Sequence, residues 1–216
     1  VPGDPSSAAF WLVAAACRSE LGDGGTVVLP GLCLNPTRLG ALSVLRAMGV
    51  DIDVVAGEST SGEETGELRV TPAPLGGAVV AGAEVVDTID ELVVLAVAGA
   101  LSSDGLEVRD AAELRAKESD RISALAAAFR ALALDIEERP DGYRVPGGQR
   151  PSGGEVDAYG DHRIAMTAAV AATLATGPVE IRGFASVGTS YPSFLADLER
   201  LGGRFEVLDA AGEAAG

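Results

Sequence analysis

Apolar residues recur at helical spacing in several stretches of the chain, and short β-branched segments lie between these stretches. Such alternation is typical of helices that each bury one face against strands. It predicts helices over residues 5–20, 36–48, 90–101, 161–174 and 192–201, and one more that begins within residues 114–121 and ends near residue 134. The same pattern predicts strands over residues 26–29, 52–55, 67–71, 106–109, 136–138, 143–145, 179–182 and 205–208.

The order helix–strand–helix–strand occurs three times, and each pass begins at an aspartate: Asp4, Asp90 and Asp161. Fifteen or so residues of helix between strands allow parallel neighbours, and the hairpin around residues 140–142 adds antiparallel ones. We therefore expect one mixed-sheet α/β domain over residues 1–216, with repeat units at about 1–75, 76–147 and 148–209.

Composition narrows the class of protein. A net charge of −16 over 216 residues argues against nucleic acid or an acidic membrane as a partner. Two cysteines do not make a disulfide framework, so we expect a cytoplasmic protein, and a single histidine, His162, predicts no metal site of ordinary composition. No apolar run is long enough to cross a bilayer, and the start at Val1 without methionine suggests a processed or excised fragment.

The stretch from Leu114 to Arg121 carries the first candidate chemistry. Lys117 and Arg121 are four residues apart, so they share one edge of a predicted helix start, with Glu118 beside them. Helix starts normally favour acidic residues, because the helix dipole is positive there. Two cations at that end indicate a site for an anionic ligand, although a solvated, salt-bridged helix start fits the spacing equally.

Three other helix starts carry similar groups. Asp161-His162-Arg163 supplies a guanidinium suited to carboxylate or phosphate, Asp90-Glu91 supplies an acidic pair, and Thr189-Ser190-Tyr191-Pro192 precedes the last helix. Each of them has a plain alternative as an ordinary helix cap. Since they occupy equivalent places in the repeat, the fold could gather them on one face, where they would suit a doubly anionic substrate and proton transfer.

The motifs together resemble a known family, 5-enolpyruvylshikimate-3-phosphate synthase. The resemblance covers essentially the whole chain and matches the family's carboxy-terminal half, beginning just after its midpoint at Val1 to Ala9. The related UDP-N-acetylglucosamine enolpyruvyl transferase lacks the motifs found here at residues 114–121 and 161–166. The motifs are Leu114-Arg115-Ala116-Lys117-Glu118-Ser119-Asp120-Arg121, Asp161-His162-Arg163-Ile164-Ala165-Met166, Thr189-Ser190-Tyr191-Pro192-Ser193-Phe194 and Asp87-Thr88-Ile89-Asp90-Glu91-Leu92.

The resemblance implies a fold and a reaction. The fold is one of two domains, each a pseudo-threefold, inside-out barrel arrangement of βαβαββ units. The reaction transfers the enolpyruvyl group of phosphoenolpyruvate to the 5-hydroxyl of shikimate 3-phosphate, by addition and elimination, with release of phosphate and without metal or organic cofactor. The implied partners are these two substrates and the missing amino-terminal domain, so we expect the isolated chain to be poorly active or inactive.

The resemblance also implies roles for individual residues. Asp90 matches the base at the 5-hydroxyl, Lys117 a catalytic and substrate-binding lysine, and Glu118 the acid at the methylene group. The residues matched to phosphoenolpyruvate binding are Arg121, Arg163 and the neighbouring His162.

Two positions depart from the family's pattern. Thr189 stands where many members have lysine and others threonine, and Glu113 stands where some have asparagine. Both remain candidate substrate contacts. The alternatives left open are another enolpyruvyl transferase, of the UDP-N-acetylglucosamine type, and a noncatalytic α/β assembly module.

Overall fold

Helix α1 begins as its sequence dictates, because the Asp4 carboxylate accepts a hydrogen bond from the Ser7 backbone and Pro5 takes the first helical position. The structure, a computed structural model, describes residues 2–22, 24–59 and 62–208. Its helices are α1 (Pro5–Ala16), α2 (Gly40–Ala47), α3 (Ala83–Val86), α4 (Leu92–Leu101), α5 (Arg121–Ala131), α6 (His162–Leu174) and α7 (Phe194–Arg200). None of the described helices is long and apolar enough to cross a bilayer.

The strands of the described residues form three separate sheets. They are β1 (Val27–Cys33), β2 (Asp51–Ala56), β3 (Thr65–Thr71), β4 (Ala78–Val80), β5 (Leu106–Val108), β6 (Glu137–Arg139), β7 (Gly142–Val145), β8 (Gly154–Asp157) and β9 (Val179–Arg182). The sheet orders are β1-β3-β2, β4-β5-β7-β6 and β8-β9. Pairs β4/β5 and β8/β9 are parallel and the others antiparallel, so the predicted mixed-sheet α/β fold is confirmed, and none of the described sheets closes into a barrel.

The first two sheets repeat one topology. A parallel bridge between Gly3 and Leu32 places the chain start beside β1, as β4 lies beside β5. With that bridge, both sheets follow the same order of first, second, fourth and third strand. The third sheet contains the first pair of this order, β8 and β9, within the described residues. This repetition supports the unit boundaries near residues 75 and 147 that we propose.

The core lies among the first helices of the three units, α1, α4 and α6, which pack against one another. Every residue of α4 is buried, because the helix is apolar on all sides and small enough to be surrounded. This packing therefore fixes the positions of the three helices relative to one another, and the residues at their amino-terminal ends lie on one side of the domain.

Three predicted elements differ from the structure. The helix predicted to begin within residues 114–121 begins at Arg121, because the Asp120 carboxylate caps it by accepting from the Ser123 backbone at 3.1 Å. Before it lie a 3₁₀ turn, Ala112–Ala116, and an extended Lys117 with ψ of −158°. Lys117 and Glu118 therefore precede the helix, and the prediction that they share its first turn is wrong.

The other two differences concern the second helix and the last strand. Asn35 caps only a 3₁₀ turn, Pro36–Arg38, and α2 begins at Gly40, where a β-carbon would lie 2.3 Å from the Asp87 carbonyl oxygen. The strand predicted over residues 205–208 does not form. Residues 205–207 are irregular, Leu208 forms only a β-bridge, and Phe205 is exposed, because within the described residues the third sheet consists of β8 and β9 alone.

Candidate functional site

The amino-terminal ends of α4, α5 and α6 meet on one side of the core and bring the predicted site residues together. Asp90 and Glu91 directly precede α4, Lys117 to Asp120 precede α5, and Asp161 caps α6 through the Arg163 backbone at 2.9 Å. The convergence expected from the repeat is therefore real for these three helix starts.

Arg121 is the centre of the cluster. Its side chain is only 1% exposed, and its nitrogens face three carboxylates. Nε donates to Asp161 Oδ2 at 2.8 Å, Nη1 to Asp90 Oδ1 at 3.1 Å and Nη2 to Glu118 Oε2 at 2.5 Å. A buried guanidinium requires such compensation, because an unpaired charge in the interior is strongly unfavourable.

Asp161 is the fixed partner of Arg121. Its carboxylate is fully buried and also accepts from the Ser119 hydroxyl at 3.0 Å. Burial acts to raise the pKa of Asp161, but the hydrogen bond and charge of Arg121 outweigh burial and lower it. Asp161 is therefore ionised at neutral pH and serves at once as helix cap and as counter-ion.

Asp90 is shared by three cations. Its carboxylate lies 3.1 Å from Arg121 Nη1, 3.6 Å from Lys117 Nζ and 3.7 Å from Arg163 Nη2. Burial is the largest single influence and acts to raise the pKa of Asp90, whereas the charges of Arg163, Lys117 and Arg121 together lower it below its ordinary value. With a side chain 39% exposed, Asp90 is an ionised carboxylate that an incoming molecule can reach.

Lys117 and Glu113 form the outer rim. Lys117 Nζ lies 2.7 Å from Glu113 Oε1, and Glu113 is 70% exposed. The hydrogen bond from Lys117 to Glu113 is the largest influence on the lysine and raises its pKa. The ammonium is therefore held at the mouth of the cluster by a carboxylate that can move into solvent.

Arg163 closes the other side. Its Nη1 donates to the Asp90 carbonyl at 2.9 Å, and its side chain is 13% exposed. Arg163 is therefore not an ordinary surface residue. Together, Lys117, Arg121 and Arg163 surround Asp90, and this arrangement suits an anionic ligand that displaces the resident carboxylates.

His162 and Thr189 stand apart from the ion pairs. Burial lowers the pKa of His162, and the charge of Arg163 adds to this effect, so the imidazole is neutral at neutral pH. Thr189 donates to the Ser186 carbonyl at 2.7 Å, and no hydrogen bond in the described part of the chain links it to the cluster. The neighbouring Tyr191 hydroxyl accepts from Trp11 at 2.8 Å, so this turn is anchored on α1.

Two residues of the site, Ser119 and Glu91, make contacts that the sequence did not indicate. Ser119 lies inside the motif from Leu114 to Arg121. Only the structure shows its hydroxyl donating to Asp161, because this partner is 42 residues away. Glu91 resembles an ordinary first-turn acid in the sequence, yet it is 5% exposed and faces Arg163. Within the described residues, no group of three His, Cys, Asp or Glu side chains is arranged to hold a metal ion.

The chain is similar to proteins of known name. A 3-phosphoshikimate 1-carboxyvinyltransferase from Synechococcus sp. (strain JA-3-3Ab) is 47% identical over 93% of this chain and 44% of the relative. Another of that name from Roseiflexus sp. (strain RS-1) is 44% identical over 94% of this chain and 46% of the relative. This chain thus spans about half the length of the curated relatives it matches.

The chain is also similar to solved structures. An EPSP synthase from Acinetobacter baumannii superimposes with a TM-score of 0.86 at 35% identity, over 93% of this chain and 46% of that chain. The enolpyruvyl transferase NikO from Streptomyces tendae, at 21% identity and a TM-score of 0.73 over 94% of this chain and 44% of that chain, shares the fold.

The family model of EPSP synthase (3-phosphoshikimate 1-carboxyvinyltransferase) matches residues 1–198 of the chain. That match includes all the helix starts that build the cluster around Asp90 and Arg121. The chain belongs to the EPSP synthase family.

Proposed function

We propose that this chain is the carboxy-terminal half of an enzyme that transfers the enolpyruvyl group of phosphoenolpyruvate to the 5-hydroxyl of shikimate 3-phosphate. The observation that carries the proposal is the convergence of Lys117, Arg121 and Arg163 on Asp90, in a chain of this family. The proposal places the enzyme in the cytoplasm and requires no metal or organic cofactor.

Phosphoenolpyruvate binding requires the cations to exchange partners. Arg121 is saturated by three carboxylates, of which Asp161 is fully buried whereas Glu118 is 53% exposed. Glu118 is therefore the partner that can swing away and leave a nitrogen of Arg121 for the ligand. Arg163, at the edge of the cluster, offers a second guanidinium for bidentate capture of the carboxylate or phosphate of phosphoenolpyruvate.

The same exchange prepares Asp90 to act as a base. When the ligand attracts the three cations, they lower the pKa of Asp90 less than they do in the free chain, so its affinity for a proton rises. Asp90 then takes the proton of the 5-hydroxyl group, while the hydroxyl oxygen bonds to carbon 2 of phosphoenolpyruvate. Glu118, which takes up a proton when it leaves Arg121, gives that proton to the methylene carbon, and this yields a tetrahedral adduct.

The tetrahedral adduct then breaks down by elimination. The bond from carbon 2 to the phosphate oxygen breaks, the departing phosphate takes up the proton that Asp90 holds, and the former methylene carbon returns a proton to Glu118. Lys117 and the guanidinium groups offset the negative charge that develops on the departing phosphate. His162, held neutral beside Arg163, contributes a polar wall that adds no positive charge.

The amino-terminal half is the implied partner. Because this chain spans 44–46% of its relatives, we propose that the opposite wall of the cleft is supplied by that half. Turnover by residues 1–216 alone is expected to be negligible, since one wall can neither exclude water nor orient two substrates.

The test is a phosphate-release assay with the chain alone and with the chain completed by the amino-terminal half of a close relative. Phosphoenolpyruvate is supplied with shikimate 3-phosphate or, in a parallel arm, with UDP-N-acetylglucosamine. Release only from the completed protein with shikimate 3-phosphate supports the proposal. Release with UDP-N-acetylglucosamine alone would assign the other enolpyruvyl transferase activity, and no release in either arm would favour a noncatalytic module.

A further inference from the structure

Glu91 is a buried carboxyl group whose presence the reaction above does not explain. It is 5% exposed, and its Oε1 receives no hydrogen bond from any described residue. Leaving a buried polar atom without a partner is costly, and folded proteins seldom retain such an atom without a reason. The atom is therefore a candidate for a role that begins when a ligand binds.

Glu91 does not act as a helix cap. At the starts of α1 and α6, the cap residue Asp4 accepts from the Ser7 backbone and the cap residue Asp161 accepts from the Arg163 backbone. Glu91 occupies the cap position of α4, but its side chain makes no such hydrogen bond. Stabilisation of the helix end is thus an inadequate reason for burying this carboxyl group.

Ser6 gives a hydrogen bond to the Glu91 carboxyl group, but the free oxygen faces the guanidinium of Arg163. Its Nη1 lies 3.7 Å from Glu91 Oε1, beyond hydrogen-bond distance, and donates instead to the Asp90 carbonyl at 2.9 Å. In the described part of the chain, the carboxylates within 4 Å of this guanidinium are those of Asp90 and Glu91. A small rotation of Arg163 away from Asp90 would bring Nη1 to Oε1.

We infer that Glu91 is a positioning residue for Arg163, and that its Oε1 accepts from Nη1 when an anionic ligand draws the guanidinium away from Asp90. A guanidinium has five N–H groups, and the outer ones turn toward the ligand. The inner ones remain buried and need an acceptor on the protein side, which Glu91 supplies without movement of α4. The inference deepens the proposed function, since it rests on Arg163 binding phosphoenolpyruvate.

The experiment uses the 216-residue chain with phosphoenolpyruvate as the probe. Calorimetric titration gives the dissociation constant of every variant, and NMR follows the Nε–H signal of Arg163, assigned with Arg163→Lys, in the chains that keep this arginine. Glu91→Met removes the acceptor at similar volume and is expected to raise that constant about 10-fold or more. Glu91→Gln keeps an acceptor and is expected to stay within about 3-fold. The matched control is Glu84→Met, a substitution of an exposed glutamate.

A double-mutant cycle separates positioning from a general structural role. If Glu91 acts through Arg163, adding Glu91→Met to Arg163→Lys weakens binding no further than Arg163→Lys alone. Additive losses, or an unchanged dissociation constant in folded Glu91→Met, would overturn the inference. Should Glu91→Met fail to fold, a loss of 10-fold or more in Glu91→Gln would overturn it instead.

Failure of the proposed function gives a different result. Binding unchanged in Arg163→Lys would remove Arg163 from the phosphoenolpyruvate site and so contradict the function. Binding that depends on Arg163 but not on Glu91 would overturn only the inference about Glu91.

Discussion

Arg121 and Asp161 form an ion pair that is closed to solvent on both sides, with Nε donating to Oδ2 over 2.8 Å. The two residues belong to different repeat units as we propose them, and the pair connects the start of α5 to the start of α6. Since Glu118 and Asp90 occupy the remaining nitrogens of Arg121, the same guanidinium links the fixed interior to the carboxylates that a ligand can displace.

Replacing Asp161 with asparagine is expected to lower the free energy of unfolding by about 3 kcal/mol, because Arg121 loses its buried counter-ion. Asparagine still caps a helix, so the change isolates the lost charge. Glu118→Gln, on the exposed side of the same arginine, should cost less than about 1 kcal/mol. Urea unfolding of both variants measures this difference, and equal losses would show that burial does not separate the two carboxylates.

Glu91→Gln should change how stability depends on pH. Burial raises the pKa of Glu91 above 4.5, so the folded chain keeps this proton at pH values where the unfolded chain has released it. Glu91 therefore makes the folded state progressively less stable as pH rises from 4.5 through its folded pKa. Relative to the wild type, the unfolding free energy of Glu91→Gln should increase over that window, as urea unfolding at several pH values would show. A constant difference would contradict the burial of an ionisable carboxyl here.

Asp90 and Asp161 affect the pH dependence of stability in the direction opposite to Glu91. Their pKa values are lowered from 3.8, so their contribution is present above that pH and is lost as pH falls through their folded pKa values. Asp161→Asn should therefore unfold with a shallower acid limb than the wild type. An acid limb of unchanged slope would mean that this carboxylate does not stabilise the fold by ionising.

Tyr143→Phe should destabilise the chain by about 1 kcal/mol, because the buried Tyr143 hydroxyl donates to the Leu92 carbonyl at the start of α4. Tyr159→Phe is the matched control, since Tyr159 is 55% exposed. Thermal unfolding of the two variants should separate their melting temperatures by about 2–4 °C for a domain of this size. Equal melting temperatures would indicate that this hydrogen bond adds nothing to the attachment of β7 to α4.

Glu113→Gln and Lys117→Ala should change anion affinity in opposite directions. Glu113 neutralises Lys117 at 2.7 Å on the exposed rim, so removing its charge should tighten phosphoenolpyruvate binding by up to about 5-fold. Lys117→Ala should weaken it, and added salt should weaken binding to all three proteins. Calorimetric titration measures the affinities, and weaker binding by Glu113→Gln would instead assign Glu113 a direct contact with the ligand.

Local signals predicted most of the fold. The caps at Asp4 and Asp161 and the apolar periods behind them located α1 and α6, because these features depend on neighbouring residues. The strand predicted over residues 205–208 failed for the opposite reason. Its alternating pattern required a neighbour in the third sheet, and a pattern along the chain does not report whether that neighbour exists.

The candidate site was predicted in its members but not in its pairing. Lys117, Arg121 and Arg163 were identified as cations for an anion, and the structure places them around Asp90. The burial of Arg121 escaped prediction, because it depends on Asp161, 40 residues away. The unpartnered oxygen of Glu91 escaped for the same reason, since an acid before a helix is ordinary until its surroundings are known.

The most direct test of the proposed function is the rate of phosphate release by the completed two-domain protein carrying Lys117→Ala, Glu118→Ala or Arg163→Ala. With phosphoenolpyruvate and shikimate 3-phosphate both saturating, each variant should release phosphate about 100-fold more slowly than the wild type, as expected for groups that act on the reacting atoms or on the developing charge. Release at the wild-type rate by all three variants would contradict the assignment of this cluster as one wall of an enolpyruvyl transferase active site.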